Sequence, residues 1–124
     1  VTYMIEGAMR HADNHGNTGR LESGGAQWMT AGRGIIHEEM PQQENGLLWG
    51  YQLWVNLPAA RKMADPFYRD LRPEDIPSTE LEGGVRARVI AGELAGVGGP
   101  IAGGEVDPSY FDIEIPAGGQ FTWS

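Results

Sequence analysis

A chain of 124 residues can bury one sizeable core, and its length alone suggests a single domain. Seventeen acidic against nine basic side chains give a net charge of −8, with Lys62 the sole lysine and no arginine cluster, which argues against binding to nucleic-acid phosphates. The lack of cysteine excludes disulfides, thiolate metal sites and cysteine nucleophiles together and fits a reducing cytoplasm. No apolar stretch approaches the roughly 18 residues of a membrane span, and no signal-peptide pattern is present.

Residues 1–6, VTYMIE, are rich in β-branched and aromatic side chains and read as a strand ended by Gly7. Residues 8–12 return as a second strand. Residues 13–19, DNHGNTG, are dense in turn formers and read as a loop. Residues 21–23 make a short strand at best before Gly24-Gly25. Strands are then expected over 26–30 and 35–40, with a turn at Gly32-Arg33-Gly34 between them. Residues 47–56, LLWGYQLWVN, form the longest apolar run and are expected as a buried strand with a bulge at Gly50. Trp28, Trp49 and Trp54 are expected in the core.

Residues 58–63 favour one or two helical turns. Prolines and charges over 64–77 describe a connection, and the shift in composition marks a domain boundary. Residues 85–91 read as a strand with Arg86 and Arg88 on its outer face. Residues 92–104 are a glycine-rich loop, 110–115 (YFDIEI) alternate as a strand, and Phe121 begins another after the turn at 116–119. Nineteen glycines and eight prolines punctuate strands without forming repeats, which points to an all-β barrel or sandwich. Val1 and Ser124 both fall inside strand-like runs, so the chain reads as a fragment of a longer protein.

The stretch 27–41, QWMTAGRGIIHEEMP, carries the chemistry. In a strand, His37 and Glu39 point to the same face, roughly 6.6 Å apart at their backbones, and could lean onto one metal ion. Imidazole plus carboxylate with open positions is the ligand set of non-haem iron. The alternative is an edge strand whose polar residues face water. Glu38 points the other way, into solvent. His11 and His15 lie four apart around a turn and read as solvated loop histidines without a ligand role. No nucleophile elbow is present, and the 92–104 run lacks the lysine of a phosphate loop.

With VTYMIEG, DNHGNTG, QWMTAGRGIIHEEMP and GYQLWVNLPA in order, the chain resembles the pirin family of the cupin superfamily. The later VRARVIAGE and DIEIPAGGQFTWS resemble the start of the pirin second domain. The resemblance implies a two-domain bicupin of jelly-roll (double-stranded β-helix) barrels, truncated at both ends. The expected division is 1–64 for the first cupin domain, 65–84 for a linker and 85–124 for the beginning of the second. The family's iron ligands are three histidines and a glutamate. Two match His37 and Glu39, and the other two belong to an HxH motif upstream of VTYMIEG.

The resemblance implies an oxidoreductase of the quercetin 2,3-dioxygenase type, using Fe(II) and O₂ on a flavonol, with Glu39 also taking the substrate hydroxyl proton. Its alternative is a non-enzymatic, iron-dependent partner of transcription factors, with the iron's redox state changing the surface shown to a protein partner. A cupin with a structural metal only is a third class, and fold alone does not choose. A cytoplasmic monomer is expected.

Overall fold

A computed structural model describes residues 1–42 and 46–123. Among these residues the regular structure is β-strand with short 3₁₀ turns, and no helix is long and apolar enough to cross a membrane. The chain divides into two compact units, Val1–Glu74 and Asp75–Ser124.

The first unit has seven strands: β1 (Thr2–Glu6), β2 (Ala8–Asp13), β3 (Thr18–Glu22), β4 (Ala26–Thr30), β5 (His37–Pro41), β6 (Trp49–Gln52) and β7 (Phe67–Leu71). They form two antiparallel sheets, one ordered β6-β1-β4-β7 and the other β3-β2-β5. Residues opposite one another in an antiparallel sheet share a face, so the register sorts the side chains. Tyr3, Ala26 and Leu71 form one buried row across β1, β4 and β7, with Trp28 further along that face. Thr2, Gln27 and Asp70 form the neighbouring row on the opposite face. Met4 is fully buried, worth about 1.5–3 kcal/mol.

Several sequence expectations give way here. Of residues 47–56 only Trp49–Gln52 is strand, and all four residues are exposed. β6 pairs with β1 alone, so it is an edge strand, and an edge leaves its side chains less covered than a central strand does. Trp49 is therefore half exposed, and Trp54 beyond the strand is 89% exposed; of the three tryptophans expected in the core, only Trp28 is buried. The irregularity falls in β1 between Met4 and Glu6, not at Gly50. Gly50 serves close approach instead: an added Cβ would lie 2.7 Å from the Tyr3 carbonyl oxygen.

The connection expected over 65–84 contains β7, which pairs along its length with β4. Pro66 and Pro73 flank this strand without interrupting it, so the amides of 67–71 remain free to enter the ladder. The division between units falls at Glu74–Asp75, inside the same segment. The helical turn expected over 58–63 is a single 3₁₀ turn at Ala59–Arg61.

In the second unit, β8 (Ser78–Glu80), β9 (Arg86–Ala91) and β12 (Tyr110–Glu114) form a sheet ordered β12-β9-β8. β9 alternates at its start, with Arg86 exposed and Ala87 and Val89 buried, but Arg88 on the expected outer face is half-buried and Ile90 on that face is fully buried. Ala87, Val89 and Leu94 form a core packed by Leu81, Val97, Phe111, Ile113 and Phe121. The expected loop 92–104 holds a small hairpin, β10 (Glu93–Leu94) with β11 (Val97–Gly98). Phe121 does not begin a strand; its ring fills this core instead, a packing role that alternation alone cannot distinguish from a strand position.

Candidate metal centre

β5 is placed by contacts at its start. Gly32 has φ +52° and lies against the Ala64 carbonyl, whose carbon would be 2.9 Å from an added Cβ, so a side chain has no room there. The Arg33 amide donates to the same carbonyl oxygen at 2.9 Å, and the Arg33 guanidinium pairs with Asp65 at 2.6 Å. Immediately before His37, the Asn14 amide donates to Ile36 O at 2.9 Å, and the Ile36 amide donates to Asn14 Oδ1 at 3.1 Å. The asparagine side chain thus stands in for a backbone acceptor and extends the β2–β5 ladder.

The loop bearing Asn14 is tied down by Asp13. Its carboxylate accepts from the amides of His15 and Asn17 at 2.8 and 2.9 Å, and from the Asn17 side-chain amide at 2.6 Å. Desolvation alone would raise the Asp13 pKa, but these hydrogen bonds together with the charge of His15 outweigh it and hold the carboxyl below its usual value.

The register of β5 on β2 pairs His37 with Asp13, Glu39 with His11 and Glu38 with Ala12. His37 and Glu39 therefore share a face with Asp13 and His11. Glu38 lies on the opposite side and meets the Arg10 guanidinium at 3.8 Å, both side chains well exposed. Glu39 is partly buried, and its two oxygens reach the other sheet: Oε1 accepts from Thr2 Oγ1 at 3.3 Å and Oε2 from Gln52 Nε2 at 2.5 Å. Thr2 and Gln52 are directly opposed on β1 and β6, so one cross-strand pair orients the carboxylate. His37 is exposed, with no hydrogen bond to its ring among the described residues.

His11 departs most from the sequence reading. It lies within β2, not on the loop, and is only 4% exposed. Nε2 lies 3.1 Å from Asp70 Oδ2, Asp70 Oδ1 accepts from Gln27 Nε2 at 3.2 Å, and the imidazole stacks on Tyr68 with ring centroids 5.9 Å apart. Gly19 sits opposite His11 and leaves the space that this pair occupies. The signal was available, since a strand over 8–12 already places His11 in alternation with Met9 and Asp13. His15, by contrast, is exposed on the turn as expected.

Burial first, and then the negative charges of Asp13, Glu39 and Asp70, push the Tyr68 phenol above its ordinary pKa. Glu39 and Asp70, from different sheets, thus converge electrostatically on one hydroxyl. An imidazole and an oriented carboxylate side by side suit a divalent ion such as Fe(II), with Thr2 and Gln52 as outer partners of the carboxylate. They are two candidate ligands. Among the described residues no group of three or more His, Cys, Asp or Glu side chains is arranged to hold a metal.

The Pirin family model matches residues 1–55, which include β1 to β5 and the His37–Glu39 pair. A pirin-like protein of Caulobacter vibrioides is 52% identical over 122 residues, covering 98% of this chain and 44% of the relative. Pirin-1 of Arabidopsis thaliana is 50% identical over 122 residues, covering 97% of this chain and 40% of the relative. The crystal structure of a quercetin 2,3-dioxygenase from Acinetobacter baumannii superposes with a TM-score of 0.81 at 38% identity, covering 90% of this chain and 40% of that one. The chain thus spans less than half the length of these proteins. The strand arrangement is that of a cupin, and the chain belongs to the pirin family.

Proposed function

We propose that this chain supplies two ligands, His37 and Glu39, of a mononuclear Fe(II) site in an oxygenase of the quercetin 2,3-dioxygenase type. The observation that carries this reading is the placement of both side chains on one face of β5, with the Glu39 carboxylate held from the opposite sheet by Thr2 and Gln52. The likeness to the Acinetobacter enzyme supports the same class of chemistry. The remaining ligands would be the two histidines of the HxH motif that the family resemblance implies. When bound, the iron would supply Lewis-acid binding of flavonol oxygens and activation of O₂.

The protein's own part is to orient and to move a proton. Asn14 fixes the backbone before His37, whose exposed ring has no hydrogen bond among the described residues and so is available to a metal. Glu39 Oε2 is committed to Gln52, whereas Oε1 has only the longer contact to Thr2, so Oε1 is the oxygen that takes the hydroxyl proton of the flavonol.

The test is iron content and anaerobic flavonol binding, then turnover with O₂, in a protein carrying this chain at the full length of its relatives. His37→Ala and Glu39→Ala should each abolish stoichiometric iron after dialysis, and His15→Ala should not. Iron retained in His37→Ala would overturn the assignment.

A further inference from the structure

Two buried polar atoms near Glu39 have no hydrogen-bond partner among the described residues: His11 Nδ1 and the Tyr68 hydroxyl. Such orphans are costly, and in folded proteins they are nearly always satisfied by water or a ligand. Their chemistry is complementary to a single group. The Asp70 carboxylate only accepts, so the His11 Nε2 that faces it carries a proton, and in the neutral ring Nδ1 is a lone-pair acceptor. Tyr68 is held as the neutral phenol by burial and the surrounding carboxylates, so its hydroxyl is a donor. The two rings are nearly parallel, with 13° between their planes, which places an acceptor and a donor on adjacent stacked groups.

We propose that His11 and Tyr68 form a binding subsite for one hydroxyl group, which donates to His11 Nδ1 and accepts from Tyr68, with Asp70 fixing the imidazole tautomer. The occupant is a hydroxyl of water or of a substrate. Only the second case rests on the flavonol reading above. Asp70 is a positioning residue here: Gln27 occupies its other oxygen, so the carboxylate is held from two sides while it holds the ring. The lack of a side chain on Gly19 is what lets this pair form between the two sheets, so backbone and side chains agree on the arrangement.

The test is a long-range proton–nitrogen correlation spectrum of the His11 ring in the ¹⁵N-labelled 124-residue chain, with and without added quercetin. Nε2 should be protonated, and Nδ1 should show the signature of a lone pair accepting a hydrogen bond. If that signature is present before quercetin and unchanged by it, the hydroxyl is water; if it arises only on addition, the hydroxyl is the flavonol's. Tyr68→Phe should shift Nδ1 to the position of a free acceptor while leaving Nε2 in place. Asp70→Asn should let the two tautomers mix. A protonated Nδ1, a free-acceptor signature under both conditions, or an Nδ1 unmoved in Tyr68→Phe would overturn the subsite. None of these readouts needs iron or turnover, so failure of the oxygenase reading leaves the water arm standing.

Discussion

Replacing Gly19 by alanine tests whether the space opposite His11 is as full as the geometry requires. The new Cβ would stand 2.5 Å from Asp70 Oδ2 and 2.6 Å from His11 Cε1, and closer still to His11 Nε2. Carbon needs about 3.5 Å to a non-bonded neighbour, so the pair must separate. Asp70 can swing into solvent, since almost half of its side chain is already exposed. His11 cannot follow it: the ring is buried and stacked on Tyr68. The loss is then a hydrogen bond to a charged group, about 1.5–3 kcal/mol, with a buried Nε2–H left unsatisfied inside that figure. Local overpacking adds about 1 kcal/mol. The sum is about 2.5–4 kcal/mol, a large share of an ordinary domain's stability.

In urea, with a slope of about 2 kcal/mol/M, that is a fall in midpoint of about 1–2 M at unchanged slope. Gly98→Ala is the control, because an added Cβ there meets nothing within 4 Å and its φ is not positive; it should change stability by less than about 1 kcal/mol and can raise it. A Gly19→Ala midpoint equal to that of the control would refute the argument. So would an intact His11–Asp70 pair in the variant, because its existence is incompatible with the distances above.

The other outcomes follow from single contacts. Gln52→Leu removes the donor on Glu39 Oε2 and should weaken iron binding in the full-length protein by about 10–100-fold, read by chelator competition; unchanged affinity would remove Gln52 from the site. The Asp13 carboxyl is held below its usual value, and the folded pKa therefore lies under the unfolded one of about 3.9. Its stabilising effect is present above about pH 4 and is lost as pH falls through the folded value, so amide protection of His15 and Asn17 should fade there together. Protection that persists to acid unfolding of the whole unit would count against Asp13 as its source. Tyr68 is shifted upward, so its phenol should remain protonated beyond the range of ordinary tyrosines, and Tyr68→Phe should remove one step above that range from an ultraviolet phenolate titration. A Tyr68→Phe titration that still shows that step would assign it to another tyrosine.

What could be read from the sequence follows the period of the chain. Alternation of two placed His37 and Glu39 on one side and Glu38 on the other, and the β2–β5 register has that parity. β4 has the expected bounds, because Gly24-Gly25 and the Gly32 turn punctuate it on both sides. β7 is hidden by the proline and charge content of the whole segment, whereas only the prolines' positions relative to the ladder matter. Hydrophobicity in 47–56 pointed to burial, but burial depends on how many strands a strand pairs with, and β6 pairs with one. Local composition does not contain that number.

His11 shows the same limit at the level of one side chain. Its neighbours in sequence are turn formers, and they suggest water around it. Its neighbours in space come from residues far along the chain: Asp70 is 59 positions away, and Tyr68 precedes Asp70 on the same strand. A buried imidazole is tolerable only because a carboxylate from the opposite sheet meets one nitrogen and a glycine vacates the space between them. Remove either and the buried ring keeps its place with an Nε2–H left unsatisfied. The polar interior of the first unit is therefore a consequence of sheet pairing: β7 joining β4 brings Asp70 beside Gln27, and β5 joining β2 brings Glu39 beside His11. Neither pairing is local. The chemistry of the site is written in residue types that the sequence displays openly, but their partners are chosen by topology.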